Sequence, residues 1–242
     1  MSEREFMVLP TAESVVSEVA ERLLETVSEA LAKQDCFELV LTGGTVGIAV
    51  LNKVCSLVEA KNIAWERVRF WFGDERFVGK DDLERNDVQA NHFFETLGID
   101  ESKIMRFPAA DSGKNLEEAT AAFAETIENA FTEKPHFDLI LNGMGSDGHV
   151  ASLFPGQIEP DTDALVVAVS NSPKPPAQRL SLSLWVLNST ERVWIFAAGE
   201  EKAQAVANLF GHEDVMKIPA SGLEGRLETL VYIDEAAASK VF

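Results

Sequence analysis

The stretch Phe137-Asp138-Leu139-Ile140-Leu141-Asn142-Gly143-Met144-Gly145-Ser146-Asp147-Gly148-His149, running on to Leu153-Phe154-Pro155-Gly156, decides how the chain is read. It begins as an apolar run of strand length, the pattern of a strand covered on both faces of a parallel sheet. Three glycines follow within six residues, and a carboxylate and an imidazole leave the bend. Glycine there opens backbone angles closed to other residues and lets a ligand approach the peptide N–H groups. Asp147 is expected to cap a short helix that starts near His149 and is limited by Pro155. This puts His149 at the carboxyl end of a sheet strand, where open α/β proteins bind ligands.

Outward from this motif, strands and helices alternate without a linker, repeat or low-complexity segment. Val15, Val16, Val19, Leu23, Val27, Ala30 and Leu31 recur at helical spacing over residues 11–32. Residues 38–41 read as a strand ending on Thr42-Gly43-Gly44-Thr45, followed by a helix through Ile48, Leu51, Val54 and Val58. Residues 68–72 read as a strand ending on Gly73-Asp74-Glu75-Arg76. Asn86 is the expected cap of a helix to Leu97, and residues 116–131 form an alanine-rich one. Strands near 165–169, 193–197 and 230–233, with a helix from about 200 to 209, complete the set. The alternation predicts a three-layer α/β fold, a mainly parallel, Rossmann-like sheet with helices on both faces, as one domain over residues 1–242. The turns at Thr42, Gly73 and Gly143 would then open on one side and line a single crevice.

Composition narrows the function. Hydrophobic residues make up 46% of 242, enough for a full core. The net charge of −19 argues against nucleic acid as a partner, because that needs a basic face. An anionic substrate would require a few cations to converge against this field. The start Met1-Ser2-Glu3-Arg4-Glu5 lacks the basic and apolar segments of a signal peptide, and no apolar run reaches membrane-spanning length. Cytoplasmic location is the expectation. Cys36 and Cys55, the two cysteines, have no partner at disulfide or zinc spacing.

Thr42-Gly43-Gly44-Thr45, placed between a strand and a helix, is an anion cradle of backbone N–H groups or else an ordinary tight turn. It matches neither the P-loop nor the dinucleotide fingerprint. Arg76 can offer bidentate bonds to a phosphate or carboxylate, and Asp74 or Glu75 can bond sugar hydroxyls. In Ser172-Pro173-Lys174-Pro175-Pro176-Ala177-Gln178-Arg179 the prolines stiffen a loop that carries Lys174 and Arg179. Lys202 opens a helix, where a cation is unusual unless an anion compensates it. His92, His136 and His212 lie in polar contexts and read as surface residues. For His149 a catalytic base outweighs a structural role. No serine or cysteine occupies a nucleophile elbow, and Asp147 with His149 is a ligand pair without a third partner, so covalent acyl catalysis and a metal site both lack support.

Taken together these residues resemble the 6-phosphogluconolactonase family, within the wider glucosamine-6-phosphate isomerase/deaminase-like superfamily. The segment Leu141 to Gly156 is the most specific part. Gly73-Asp74-Glu75-Arg76 with the Asn86 segment, Lys174-Pro175-Pro176 with Arg179, and Gly199 with Lys202 recur in the same order. Many members carry Ser-Gly-Gly-Ser-Thr-Pro where this chain has Thr42-Gly43-Gly44-Thr45-Val46-Gly47, so a hydroxyl and a proline are replaced.

The resemblance implies hydrolysis of 6-phospho-D-glucono-1,5-lactone to 6-phosphogluconate, in the oxidative pentose phosphate pathway. The implied enzyme is a carboxylic-ester (lactone) hydrolase that needs neither metal nor organic cofactor. In that reading His149 is the general base, and Asp147 or a backbone group orients it. Arg76 is shared between substrate binding and charge stabilisation. Thr42, Gly43, Gly44, Thr45, Arg179 and Lys202 hold the phosphate, with Asp74, Gly145 and Lys174 also on the substrate. Both monomer and homodimer remain open. Two rivals share the fold: an amino-sugar phosphate isomerase/deaminase, which differs where this chain has Ala151-Ser152-Leu153-Phe154-Pro155, and a non-catalytic sugar-phosphate sensor, which would normally carry a DNA-reading domain.

Overall fold

Apolar runs and amphipathic stretches alternate along the chain as β1 (Arg4–Leu9), α1 (Ala12–Leu31), β2 (Phe37–Leu41), α2 (Gly44–Ser56), β3 (Val68–Phe72) and β4 (Asp74–Arg76). There follow α3 (Asn86–Gln89), α4 (Asn91–Leu97), α5 (Leu116–Ala130), β5 (Phe137–Gly143), β6 (Val166–Val169) and β7 (Arg179–Leu182). The last elements are α6 (Leu184–Leu187), β8 (Thr190–Ala197), α7 (Ala203–Phe210), β9 (Glu228–Asp234) and α8 (Glu235–Ala238). This computed structural model describes residues 4–160 and 162–241; Met1, Ser2 and Glu3 of the N-terminal stretch read above, with Asp161 and Phe242, lie outside the described residues.

Among these residues six strands form one sheet in the order β1-β9-β8-β5-β2-β3, every neighbouring pair parallel. The expected α/β fold is present. Its helices show the patterns that specify them. In α1 the buried face is Val15, Val19, Leu23 and Val27, and the Thr11 side chain accepts from Ser14 N at the start. The N-terminus of α5 carries a capping box, in which Asn115 accepts from Glu118 N and Glu118 accepts from Asn115 N. Between the sheet's β3 edge and α4, Trp65, Phe70, Phe93 and Phe94 pack with ring centroids 5.5–6.0 Å apart.

The topology fixes where a ligand would bind. From β2 the chain moves to β3 on one side, whereas from β5 it moves to β8 and then β9 on the other. β2 and β5 are neighbours, so the loops after them part and leave a crevice at their carboxyl ends. Those loops are Thr42–Thr45 and Met144–His149.

Three expectations need correction. Residues 165–169 do not join the main sheet: β6 belongs to a separate antiparallel sheet, β4-β7-β6. That sheet grows from the end of β3, where Leu182 N donates to Gly73 O at 2.8 Å. The expected helix from Asn86 to Leu97 is broken into α3 and α4, and the Asn86 side chain does not cap it; Arg85 holds that position and Asn86 turns inward. No helix begins at His149 either. Gly148 at φ +81° and Ala151 at φ +49° put the chain in left-handed angles that a right-handed helix excludes. No helix of the described residues is long and apolar enough to cross a membrane.

Candidate active site

Gly145, Gly148 and Pro155 shape a turn, not a helix, and the turn presents His149. Gly145 N donates to His149 O at 2.9 Å, and Gly148 N donates back to Gly145 O at 3.0 Å. Inside this loop His149 Nδ1 lies 2.5 Å from Asp147 Oδ1. A Cβ on Gly145 would fall 2.0 Å from His149 Nδ1 and 2.4 Å from Asp147 Oδ1, so the pair exists only because residue 145 has no side chain. With Nδ1 donating to the carboxylate, Nε2 is left as the acceptor. Burial pushes the Asp147 carboxyl up, but the hydrogen bond and charge of His149, then the charge of Lys174, outweigh it and hold it well below the usual carboxylate range. Asp147 is therefore an anion that orients the ring. The imidazole keeps 15% of its side-chain surface exposed and rests on the Phe154 ring, 4.7 Å between centroids.

The facing wall comes from the small sheet. Arg76 on β4 and Arg179 on β7 are directly opposed in the antiparallel register. Residues so opposed share a face, and like charges there repel unless an anion lies between them. Arg76 donates to Glu84 O, while its Nε is buried with no partner among the described residues. Burial, then the charge of Arg76 against the pull of Asp74, lowers the Arg179 pKa. The Arg179 guanidinium stands 5.6 Å from the centroid of the same Phe154 ring. Imidazole and guanidinium are thus separated by no more than these two ring distances together.

Two struts lock the walls. Asp74 accepts from Ser152 Oγ at 2.5 Å and from Asn86 Nδ2 at 3.2 Å, so its carboxylate ties β4 to the loop that carries His149. Asn86 Nδ2 also donates to Asp74 O at 2.9 Å, and its Oδ1 lies so close to Gly43 that a Cβ there would be 1.9 Å away. Beneath them Glu75 is fully buried. Its Oε1 accepts from Arg76 N and Asn86 N, and Oε2 from Asp87 N.

At the crevice floor α2 starts at Gly44 without a side-chain cap or an acid in its first turn. Its free N–H groups and dipole suit an anion. Gly44 sits at φ +79°, a conformation that glycine adopts without strain. Gly47, which stands in place of the proline, packs on Thr42: a Cβ would lie 2.8 Å from Thr42 O. Lys202 ends a short turn whose Gly199 N–H is held by the Asp234 carboxylate at 3.0 Å. Burial first, then the like charge of Lys174, lowers its pKa against the opposing pull of Glu201 and Asp147.

The structure thus gathers His149, Asp147, Gly145, Lys174, Lys202, Arg76, Arg179, Asp74 and Thr42–Thr45 around one crevice. Two of them are engaged in ways the sequence did not suggest. Both Asp74 oxygens already accept protein hydrogen bonds. Arg179 turns Nε to Pro176 O and one terminal nitrogen to Lys174 O and Pro175 O. Ser152 and Phe154 support the site without having been singled out for it, whereas Glu75, read as able to bond sugar hydroxyls, is instead fully buried beneath the site and spent on backbone N–H groups. Ser152 and Phe154 lie within the quoted motif, which was the available signal. His92, His136 and His212 stand apart on exposed surface. Among the described residues no group of three His, Cys, Asp or Glu side chains could hold a metal ion.

Known proteins resemble this chain over nearly its whole length. The glucosamine-6-phosphate isomerases/6-phosphogluconolactonase family model matches residues 10–232. A 6-phosphogluconolactonase of Mycobacterium leprae is 37% identical over 242 residues, covering 97% of each chain. One of Streptomyces coelicolor is 36% identical, covering 100% of this chain and 96% of its own. The crystal structure of 6-phosphogluconolactonase from Thermotoga maritima superposes with a TM-score of 0.84 at 25% identity, over 96% of this chain and 100% of that one. The chain belongs to the glucosamine-6-phosphate isomerase/6-phosphogluconolactonase family, with full-length relatives on its 6-phosphogluconolactonase side.

Proposed function

We propose that the chain hydrolyses 6-phospho-D-glucono-1,5-lactone to 6-phosphogluconate, in the oxidative pentose phosphate pathway and in the cytoplasm. The observation that carries this reading is the His149–Asp147 pair, held at 2.5 Å in the crevice that also contains the opposed Arg76 and Arg179. A base at one end and cations at the other match a substrate with a reactive carbonyl and a distal phosphate.

In the reaction, His149 Nε2 takes a proton from water as the water oxygen bonds to the lactone carbonyl carbon. The carbonyl pair moves onto its oxygen, which backbone N–H groups of the glycine turn and a nearby cation stabilise. When the tetrahedral intermediate collapses, the ring C–O bond breaks and the Nε2 proton passes to the departing ring oxygen. The water supplies one oxygen and both hydrogens of the product, so no redox partner or cofactor enters. Asp147, ionised throughout, keeps the ring in one tautomer. Arg76, Lys202 and the N-terminus of α2 take the phosphate.

The test is an assay of the whole chain with the lactone generated in situ, subtracting spontaneous opening, beside an ammonia assay with glucosamine 6-phosphate. Lactone hydrolysis without ammonia supports the reading; ammonia release without hydrolysis assigns the chain to the deaminases. Stoichiometric binding with neither reaction assigns it to a sensor. Arg76→Met is expected to raise KM about 10- to 100-fold with kcat nearly kept, the cost of a charged hydrogen bond made equally in ground and transition states. A loss confined to kcat would move Arg76 to the reacting end.

A further inference from the structure

Lys174 does not stand where a phosphate ligand would. Its ammonium lies 3.5 Å from His149 Nδ1 and 3.8 Å from Asp147 Oδ1. Among the described residues no other Lys or Arg forms an ion pair with Asp147. The backbone that delivers it is braced on two sides. Ser172 Oγ donates to Lys174 O at 2.8 Å, and Lys174 N lies 3.2 Å from that oxygen. Arg179 reaches Lys174 O at 3.1 Å, Pro175 O at 3.2 Å and Pro176 O at 3.2 Å. The Nε and one terminal nitrogen of this guanidinium are spent on three loop carbonyls, which anchors it to the loop that carries Lys174.

The chemistry gives that placement a purpose. A carboxylate on Nδ1 favours imidazolium, and a base already carrying its second proton cannot accept one from water. A cation beside the pair opposes that protonation. We propose that Lys174 serves the reacting end of the crevice rather than the phosphate, keeping Nε2 of His149 free to accept a proton, and that Arg179 is the positioning residue that holds Lys174 there. The proposal rests on the reading of His149 as the base.

Every charged group that faces the imidazole enters this balance. Asp147 comes from the same turn. Lys174 comes from the 172–176 segment. Lys202, from the turn before α7, acts on both Lys174 and Asp147. Arg179 stands over the Phe154 ring, on which the imidazole also packs. Of the cations, Lys174 alone is in contact with the pair, and with 46% of its side chain exposed it is replaceable without disturbing the core.

The experiment is a proton NMR titration of the His149 ring in the whole chain, compared with Lys174→Met, Lys174→Arg and Arg179→Met, together with pH profiles of kcat/KM. Lys174→Met is expected to raise the titration midpoint by about one pH unit, the usual scale for a charge at this distance. The acid limb of kcat/KM moves up with it, KM above the limb stays put, and Lys174→Arg restores the native midpoint. Arg179→Met moves the midpoint the same way by loosening the loop. An unmoved midpoint in Lys174→Met overturns the proposal, as does a raised KM with an unmoved limb. A raised KM alone in Arg179→Met removes its positioning role. The titration needs no turnover, so a chain that opens no lactone would sink the lactonase reading while leaving this one decidable.

Discussion

Replacing His149 by alanine is expected to lower kcat for lactone opening by about 10²- to 10⁴-fold, the range that a positioned general base supplies. KM should change little, because the proposed phosphate ligands, Arg76, Lys202 and the start of α2, are left in place. The native rate is expected to fall on acidification, since a base must be unprotonated to accept a proton, and that dependence should vanish from the residual rate of the variant. The fold is not at stake: His149 lies in a turn outside every helix and strand, and its ring is tied to Asp147, Lys174 and Phe154. Initial rates on protein with a native circular dichroism spectrum, corrected for uncatalysed opening, make the check. Unchanged kcat removes His149 as the base.

Glu75→Ala is expected to be the most damaging substitution for stability. Its carboxylate accepts from three backbone N–H groups, at 2.8 Å from Arg76, 2.7 Å from Asn86 and 3.0 Å from Asp87. Arg85, itself paired bidentately with Asp87, lies 3.8 Å from it. Deletion leaves three buried backbone donors without their acceptor and a cavity beside Arg85, which costs about 3–5 kcal/mol. For a chain of this size that lowers Tm by roughly 10 °C, measurable by calorimetry. A fall of less than a degree or two would mean that water replaces the carboxylate.

The same group sets a pH dependence. Burial first, then the charge of Asp87, pushes Glu75 up to about 8 from its ordinary 4.5, against the lowering effect of Arg85 and the backbone donors. The folded chain then holds a proton that the unfolded chain has released, so its contribution is fullest below 4.5 and is lost as pH rises towards 8. Denaturant titrations should show native stability falling across that window and a flatter slope in Glu75→Gln.

The parts of the fold legible in the sequence are those whose burial is local. β2, β3 and β5 are mainly apolar runs, each interrupted near its start by one charged residue (Glu38, Arg69 and Asp138), and the amphipathic face of α1 repeats over 20 residues. The small sheet was illegible for the opposite reason. β4 is Asp74-Glu75-Arg76, three charged residues that qualify as a strand only because Asn86, Asp87, Ser152 and Arg179 arrive from elsewhere to pair them. β7 begins at the arginine read as the end of a loop. β1 has a half-exposed pattern and is recognisable only from its pairing with β9 at the far end of the chain. At the site, the strand-end motifs of the sequence led to the expectation of one crevice for His149 and the cations. They could not foretell which donors of Arg179 are spent, or that Asp74 faces Ser152, since those depend on contacts 3 to 78 residues apart.

Asp74 is bonded at once to Ser152, on the loop bearing the imidazole, and to Asn86, which abuts the floor at Gly43. Both ends of the cleft are therefore referenced to a single buried carboxylate, and the span between them behaves as a ruler that cannot stretch. Under the proposed reaction, a phosphorylated lactone one carbon shorter is therefore expected to be opened more slowly than the six-carbon one.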